Sequence, residues 1–200
     1  GVYALDGGEV QAFTLALGHV ATATNTFLDA RNGTIRIDSV LQFGSGSVNV
    51  SPYPEIRVSG ERGFVSASLV YYYPGTGGRF AFTAPEGGWR DAAGAVRAPI
   101  EFNELRTSAR PVGYVDLGPV KLELAVRDWF RANPRASMPL IRLVSLANPQ
   151  ALADLKAQVV WKDVHPASFP AGFDPLAVSA DGKSLVLTAP PASGLTVILR

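Results

Sequence analysis

The chain has 200 residues, enough for one large β domain or two small ones, and 47% of them are hydrophobic, which allows a substantial core. Lys and Arg number 18 against 17 Asp and Glu, so the net charge of +1 gives no electrostatic case for binding nucleic acid or an anionic membrane surface. There is no cysteine, which excludes disulfides and thiolate metal sites. No apolar run reaches about 18 residues, so no membrane span is expected. The single Met and the excess of Arg over Lys suit a thermophile, and equally a GC-rich genome.

An apolar run follows a pair of glycines near the start of the chain. As an extended strand it would place Phe13, Leu15 and Leu17 on one face, and Val10 with small residues on the other. A strand with one small-residue face fits a groove in which both faces are covered, as an inserted donor strand requires. We therefore predict that residues 1–24 are an extension whose Val10, Phe13, Leu15 and Leu17 bind a neighbouring subunit. The ordinary alternatives are a strand of the domain's own sheet and a short amphipathic helix.

Residues 19–37 resemble the TasA–camelysin family of secreted matrix-fibre proteins. That family commonly shows a small or polar stretch, then Asn-Thr-Phe, then Gly-Thr-Leu-x-Leu opening the first core strand. The corresponding segments here are His19–Thr24, Asn25–Phe27 and Gly33–Ile37, with Leu28–Asn32 as extra residues. The resemblance implies a jelly-roll domain and fibres built by an N-terminal donor strand, as in related archaeal bundling pili. The family's protease label does not transfer, because no zinc-ligand or nucleophile motif is present.

Strand patterns dominate the rest of the chain. Val120–Val126 alternates apolar and polar residues, which is typical of a half-buried strand. The other predicted strands are rich in β-branched and aromatic residues and are bounded by turn residues. They are Gly33–Phe43, Glu55–Ser59, Phe64–Tyr73, Arg79–Thr83, Ile100–Arg106, Val112–Leu117, Leu140–Leu146 and Ala157–Val164.

Two short helices and a final meander complete the predicted elements. Asn148 followed by Pro149 predicts a capped helix of about two turns, and Asp128–Asn133 predicts a single helical turn. Asp181-Gly182 is a strong hairpin signal joining Leu176–Ser179 to Leu185–Thr188, and Leu195–Leu199 would follow as the last strand.

These elements predict one all-β domain over residues 25–200, a jelly-roll-like β-sandwich with one or two short helices and no internal repeat. Loops are expected at Gly44–Ser47, Pro74–Gly78 and Pro85–Pro99. The predicted core consists of Ile35, Ile37, Phe43, Val58, Val70, Phe80, Phe82, Leu122, Leu124, Ile141, Leu143, Val160, Leu185, Leu187, Val197 and Ile198.

No motif in the sequence indicates catalysis. His19 and His165 are the only histidines, and they have no metal-ligand spacing. The Gly44–Ser47 stretch superficially resembles a nucleophile elbow but is out of frame, with no helix after it. We predict no catalytic residue, no metal site and no cofactor, and we do not expect an enzyme.

Two features suggest contact with glycans. Asn32 and Asn49 each begin an N-glycosylation sequon, which gives weak support for export. Tyr71–Tyr73 and Trp89 are candidate aromatic platforms for a sugar ring, and Trp89 is the best candidate for an exposed ring because its loop is rich in glycine. Glycans are therefore possible partners.

The leading functional hypothesis is a secreted structural subunit of an extracellular filament or pilus. Identical subunits would form a homo-polymer by donor-strand complementation, with neither nucleic acid nor a membrane span involved. The alternatives are a secreted carbohydrate- or surface-binding β-sandwich module and, third, a viral tail or capsid protein.

Overall fold

The computed structural model describes residues 2–17, 26–43, 54–72, 78–107 and 120–192. The strands are β1 (Val2–Asp6), β2 (Glu9–Leu17), β3 (Phe27–Arg31), β4 (Thr34–Phe43), β5 (Glu55–Ser59), β6 (Phe64–Tyr72), β7 (Gly78–Thr83), β8 (Ile100–Thr107), β9 (Val120–Ala125), β10 (Ser137–Leu143), β11 (Val159–Trp161), β12 (Leu176–Val178) and β13 (Ser184–Thr188). The helices are α1 (Arg127–Ala132) and α2 (Pro149–Ala157), and Pro166–Ser168 forms a short 3-10 turn.

Successive strands alternate between two sheets. Sheet A has the order β1-β3-β5-β7-β9-β11, and every pairing in it is parallel. Sheet B has the order β12-β13-β10-β8-β6-β4-β2, and it is parallel from β2 to β10. Only the last hairpin, in which β13 pairs with β10 and β12, is antiparallel. Each turn of the chain therefore adds one strand to each sheet, and successive turns wind along the two sheets. We call each such turn a coil.

The predicted jelly-roll-like sandwich is wrong. A jelly roll is built from antiparallel strands in Greek-key order, whereas eleven of the strands here lie in parallel ladders. The described residues form a mostly β fold with two α-helices. The error has a physical cause, because strands with one buried face show the same alternation of apolar and polar residues in either direction. The jelly-roll domain that the family resemblance implies is likewise not the fold of this chain.

Inward-facing side chains stack in ladders along the coil. In sheet A the parallel register places Ile56 beside Phe80 and Phe80 beside Leu122, and all three are fully buried. In sheet B it places Ile100 between Val65 and Ile141. The core is thus a column between the two sheets, filled by residues one coil apart.

The turns that connect a strand of sheet A to the next strand of sheet B stack on one another. At one of these turns the backbones approach so closely that only glycine fits. The amide of Phe64 donates to the carbonyl of Gly33 in the preceding coil, at 3.0 Å. A Cβ on Gly63 would lie 2.3 Å from the carbonyl oxygen of Ser59 and 2.8 Å from that of Ala30. Backbone atoms of two coils therefore leave no room for a side chain at this turn.

The N-terminal segment belongs to this architecture and forms the first of the described coils. β1 pairs with β3 at the end of sheet A, and β2 pairs with β4 at the end of sheet B. The predicted division between residues 1–24 and the remaining domain therefore does not appear in the sheets.

The other end of the coil is closed by helices, a hairpin and aromatic side chains. The α2 helix begins as predicted, since the Asn148 side chain accepts a hydrogen bond from the amide of Ala151 and Pro149 opens the helix. The Asp181-Gly182 hairpin is confirmed between β12 and β13. Four rings cluster nearby, with neighbouring centroids 5.2–6.3 Å apart. They are Phe130, Trp161, Phe169 and Phe173.

Most of the predicted core residues are buried, including those of β4, β7, β9, β10 and β13. Val160 is the exception, because it faces outward from β11 and is 36% exposed. Val197, Ile198 and the predicted strands Val112–Leu117 and Leu195–Leu199 lie outside the described residues, as do Gly44–Ser47 and most of Pro74–Gly78. The loop at Pro85–Pro99 is present and is closed by a bridge between Arg90 and Val96.

Candidate functional site: an open end and a charged trough

In the described part of the chain, β1 and β2 form one end of the coil, which we call the open end. β1 and β2 are the outermost strands of sheets A and B, and no strand in the described part of the chain lies beyond them. Alternate residues of a parallel ladder direct their backbone groups to either side, so roughly half of the backbone polar groups of these strands point away from their partners. Edges of this kind are usually covered, because they pair readily with other strands.

An apolar cleft of about 270 Å³ opens between these two edge strands. It is lined by Tyr3, Ala4, Leu5, Val10, Ala12, Thr14, Leu15, Leu28 and Ile35. Val10 is 40% exposed and Tyr3 is 57% exposed, although the register places Val10 in the same ladder as buried Ile35. The cleft therefore lies at one end of the core column, where no further described strand supplies side chains to cover Val10 and Tyr3.

The four predicted partner-binding residues do not share one face. Val10 and Leu15 line the cleft, Leu17 is buried, and Phe13 lies outside the cleft with 76% of its surface exposed. The sequence placed Val10 opposite the other three, which assumes strict alternation along the strand. A register shift between Ala12 and Thr14 changes the phase of the strand and breaks that assumption.

The donor-strand hypothesis assumed that the N-terminal strand is detached from its own domain, and the structure does not show such a strand. β2 pairs with β4 of its own chain from Glu9 to Leu17, which is the placement that counts against donation to another subunit. Whether the segment exchanges between subunits stays a prediction, because a single chain does not test it. The exposed edge of the strand, by contrast, is directly visible.

A second concave feature lies on the outer face of sheet A. It is a trough of about 440 Å³ whose middle carries the small residues Ser59, Ala81, Thr83 and Ala125. Charged side chains from successive coils stand around it: Asp29, Arg31, Glu55, Arg57, Arg79, Glu123 and Lys162. Outward positions of parallel strands place these residues in rows, and Asp29 lies directly beside Arg57.

Every acid in the trough is paired with a cation. Arg31 contacts Asp29 at 2.8 Å and Arg57 contacts Glu55 at 2.8 Å. Glu123 takes two partners, Arg79 at 3.2 Å and Lys162 at 3.6 Å. The carboxylates are largely buried, whereas the cationic groups remain partly exposed above them.

The ion pairs orient the guanidinium groups of the trough. The hydrogen bond from Arg57 to Glu55 raises the pKa of Arg57, against a smaller opposing effect of burial. Arg57 also lies over the ring of Phe27, 4.0 Å from its centroid. Guanidinium N–H groups not used by the carboxylates can donate to carboxylate or hydroxyl oxygens of a ligand. The trough therefore has the chemistry of a binding surface.

The predicted glycan features have mixed outcomes. Asn32 is exposed in the turn before β4, with a φ of 54°, and a Cβ on Gly60 would lie 2.1 Å from its side-chain oxygen. Asn49 lies outside the described residues, as does Tyr73, while Tyr71 and Tyr72 are described by their backbone alone. Glycan attachment stays a prediction.

The expectation that Trp89 is an exposed ring is wrong. Trp89 is 0% exposed and packs edge-on against Phe82, with ring centroids 5.9 Å apart. The amide of Gly88 donates to the carbonyl of Pro85 at 2.9 Å, so the glycine-rich sequence around Trp89 marks a tight turn and not an exposed platform.

The two histidines do not form a site in the described part of the chain. His165 is exposed, and its Nδ1 accepts a hydrogen bond from the amide of Ala167 in the 3-10 turn. His19 lies outside the described residues. Within those residues no group of three His, Asp or Glu side chains is placed to hold a metal ion.

Comparison of the chain with protein-family models, with characterised proteins and with solved structures finds no match. Among the described residues, no helix is long and apolar enough to cross a membrane.

The trough residues were missed by sequence reasoning, although a signal exists. Asp29-x-Arg31 and Glu55-x-Arg57 repeat an acid and an arginine two positions apart, on strands that become neighbours. In a strand, residues two positions apart share a face. The repeat therefore indicates a charged outer face that recurs from coil to coil.

Proposed function

We propose that this protein is a structural subunit of an extracellular assembly and that it joins other subunits through its open end. The observation that carries the proposal is the pair of sheet edges at β1 and β2, which no described strand covers, with the apolar cleft between them. The proposal keeps the assembling structural subunit predicted from the sequence, replaces strand donation by pairing of edges, and does not require a filament or pilus.

The physical chemistry of this end favours association. Exposed Tyr3, Val10 and Phe13 belong to one coil, and each would contribute roughly 1.5–3 kcal/mol if fully buried, before the costs of association. Strand pairing adds backbone hydrogen bonds and is a common mode of recognition. Coiled repeat folds require caps at their ends, and an uncapped end exposes apolar surface to water.

The test is the mass of the protein in solution. Size-exclusion chromatography with light scattering, together with negative-stain microscopy, should show assemblies whose population rises with concentration. Val10→Asp would place a charge in the cleft and should abolish them, and Phe13→Asp should weaken them. Both side chains are exposed at the edge, so circular dichroism should change little.

A matched control is Val96→Asp, because Val96 is 51% exposed on the Pro85–Pro99 loop, away from the open end. This variant should assemble as the unmodified chain does. A chain that stays monomeric at all accessible concentrations, or a Val10→Asp variant that assembles normally, would refute the proposal.

The trough on sheet A supports a second candidate function, a secreted module that binds acidic carbohydrate or another anionic surface. Its partly exposed Arg31, Arg57 and Arg79 offer fixed donors at the spacing of adjacent strands. Isothermal titration with an oligogalacturonate should show binding that weakens with salt, and a neutral maltooligosaccharide should bind more weakly. Arg79→Gln should reduce the binding, whereas Arg142→Gln on sheet B should not.

A further inference from the structure

We infer that the open end takes a second copy of this chain in a two-fold arrangement, with β2 of one subunit antiparallel to β2 of the other. This inference rests on the proposed assembly and specifies the partner and its orientation. Two copies would face each other through the same surface, so that the cleft of each closes the other. The assembly contact would then be self-complementary and limited to two chains.

The lengths of the edge strands point to this arrangement. At the open end, sheet A presents the five residues of β1 and sheet B presents the nine residues of β2. At the other end, β11 and β12 have only three residues each. A head-to-tail contact would leave most of β2 unpaired, whereas a second β2 offers an edge of equal length.

The far end of the coil is also shaped differently from the open end. The α2 helix packs against β9, β12 and β13, and the aromatic cluster of Phe130, Trp161, Phe169 and Phe173 fills the adjoining space. This end therefore presents covered core and short edges. Among the described residues, no surface at this end complements the apolar cleft between β1 and β2.

The placement of charge agrees with antiparallel pairing of like strands. Asp6 and Glu9 are the only charged residues of β1 and β2, and both flank the turn between the strands. Antiparallel pairing brings the turn end of one β2 to the uncharged Leu17 end of the other, so the acids of the two copies lie apart. Neither β1 nor β2 contains a lysine or a proline, the residues that usually protect an edge strand from pairing.

Phe13 lies at the middle of β2, near the axis that relates the two strands. In an antiparallel pair, directly opposite side chains have Cβ atoms about 4.5–5.5 Å apart. Phe13 of each copy would thus neighbour Phe13 of the other, and the exposed ring would gain a cross-strand aromatic partner. A contact between Phe13 of one copy and Phe13 of the other is therefore specific to the two-fold arrangement.

Because the chain has no cysteine, single introduced thiols report the arrangement cleanly. Phe13→Cys and Ala177→Cys would be prepared separately and as a double variant, since Ala177 is exposed on β12 at the opposite end. Each would be treated with a short bis-maleimide reagent and separated on a denaturing gel. Light scattering on the untreated proteins gives the number of copies.

The two-fold contact predicts a covalent dimer with Phe13→Cys alone, no product with Ala177→Cys alone, and light-scattering masses that stop at two chains. A ladder that requires the double variant, or masses that continue beyond two chains, would overturn the two-fold inference while leaving assembly through the open end intact. A protein that is monomeric throughout would overturn both.

Discussion

Replacing Trp89 by alanine should cost this protein much of its stability. Trp89 is fully buried, lies edge-on to Phe82, and is held by a loop whose Arg97 amide donates to the Trp89 carbonyl at 3.0 Å. Removing a buried tryptophan ring typically costs about 3–5 kcal/mol, because the apolar contacts vanish and a cavity remains. For a chain of this size that corresponds to a fall in Tm of roughly 6–20 °C.

The phenylalanine variant sharpens the prediction. The indole Nε1 of Trp89 has no hydrogen-bond partner among the described residues, so the folded protein bears the cost of burying that donor. Trp89→Phe removes the donor, keeps a buried aromatic ring and leaves a smaller cavity, so it should cost clearly less than Trp89→Ala. The two variants should therefore differ clearly in stability although both delete the indole.

Thermal and urea unfolding followed by far-ultraviolet circular dichroism measure these effects without relying on tryptophan fluorescence. An exposed sugar-stacking ring would behave differently, since surface substitutions usually change stability by about 0.5 kcal/mol or less. A Trp89→Ala protein that unfolds within that margin of the unmodified chain would refute the buried placement and restore the aromatic platform.

Three further outcomes are expected. Gly63→Ala should destabilise the protein by about 1–3 kcal/mol in urea unfolding, because its Cβ would meet backbone carbonyls. Gly87→Ala should be nearly neutral, since its Cβ would meet only flexible side chains, Glu61 at 3.2 Å and Arg90 at 3.8 Å. Hydrogen bonds from the Ser179 hydroxyl and a backbone amide lower the pKa of Asp181, so Asp181→Asn should lower the urea midpoint at about pH 7. The difference should vanish as the pH falls below the ordinary aspartate pKa of 3.8 and through the lower pKa of the folded protein. If the protein is glycosylated in its native source, intact-mass spectrometry should exceed 21.2 kDa, and an Asn32→Gln variant should lose part of the excess.

The individual elements were largely predictable because local patterns determine them. The Asn148 cap and the Asp181-Gly182 turn are local chemistry, and the structure places both where the sequence predicts. The alternation in β4, β7 and β9 likewise identified the residues that are buried there. Such signals depend on a few neighbouring residues and survive any change of topology.

The direction of pairing was not predictable in the same way. Parallel sheets commonly lie between two layers of helices, and their strands then read as continuous apolar runs. In β7 the residues Gly78, Phe80 and Phe82 are buried while Arg79 and Ala81 are less so, although the strand is parallel to both neighbours. One exposed face therefore makes a parallel strand look antiparallel in sequence.

The repeated coil does have a signature in the sequence, a glycine at the turn before each of the first three strands of sheet B, although the sequence was interpreted as having no repeat. The turns before β2, β4 and β6 read Asp6-Gly7-Gly8, Arg31-Asn32-Gly33 and Arg62-Gly63, each with a glycine just before or at the strand entry. The repeat is hard to see because the coils differ in length: Val2 lies beside Phe27, 25 residues on, but Gly78 lies beside Val120, 42 residues on. A search for a fixed period fails when insertions of this size separate the coils.

The same coiling that obscured the fold creates the candidate assembly surface. Two parallel sheets built one coil at a time do not close into a barrel. Each end therefore exposes the edges of two strands and the apolar side chains between them, unless another element covers it. Here an antiparallel hairpin, the α2 helix and an aromatic cluster cover one end. At the other end, Leu15 and Val10 lie beside an apolar cleft, and the charged residues of β1 and β2 both flank the turn between these strands. The asymmetry between the two ends, more than any single motif, is what makes association the function best supported by this structure.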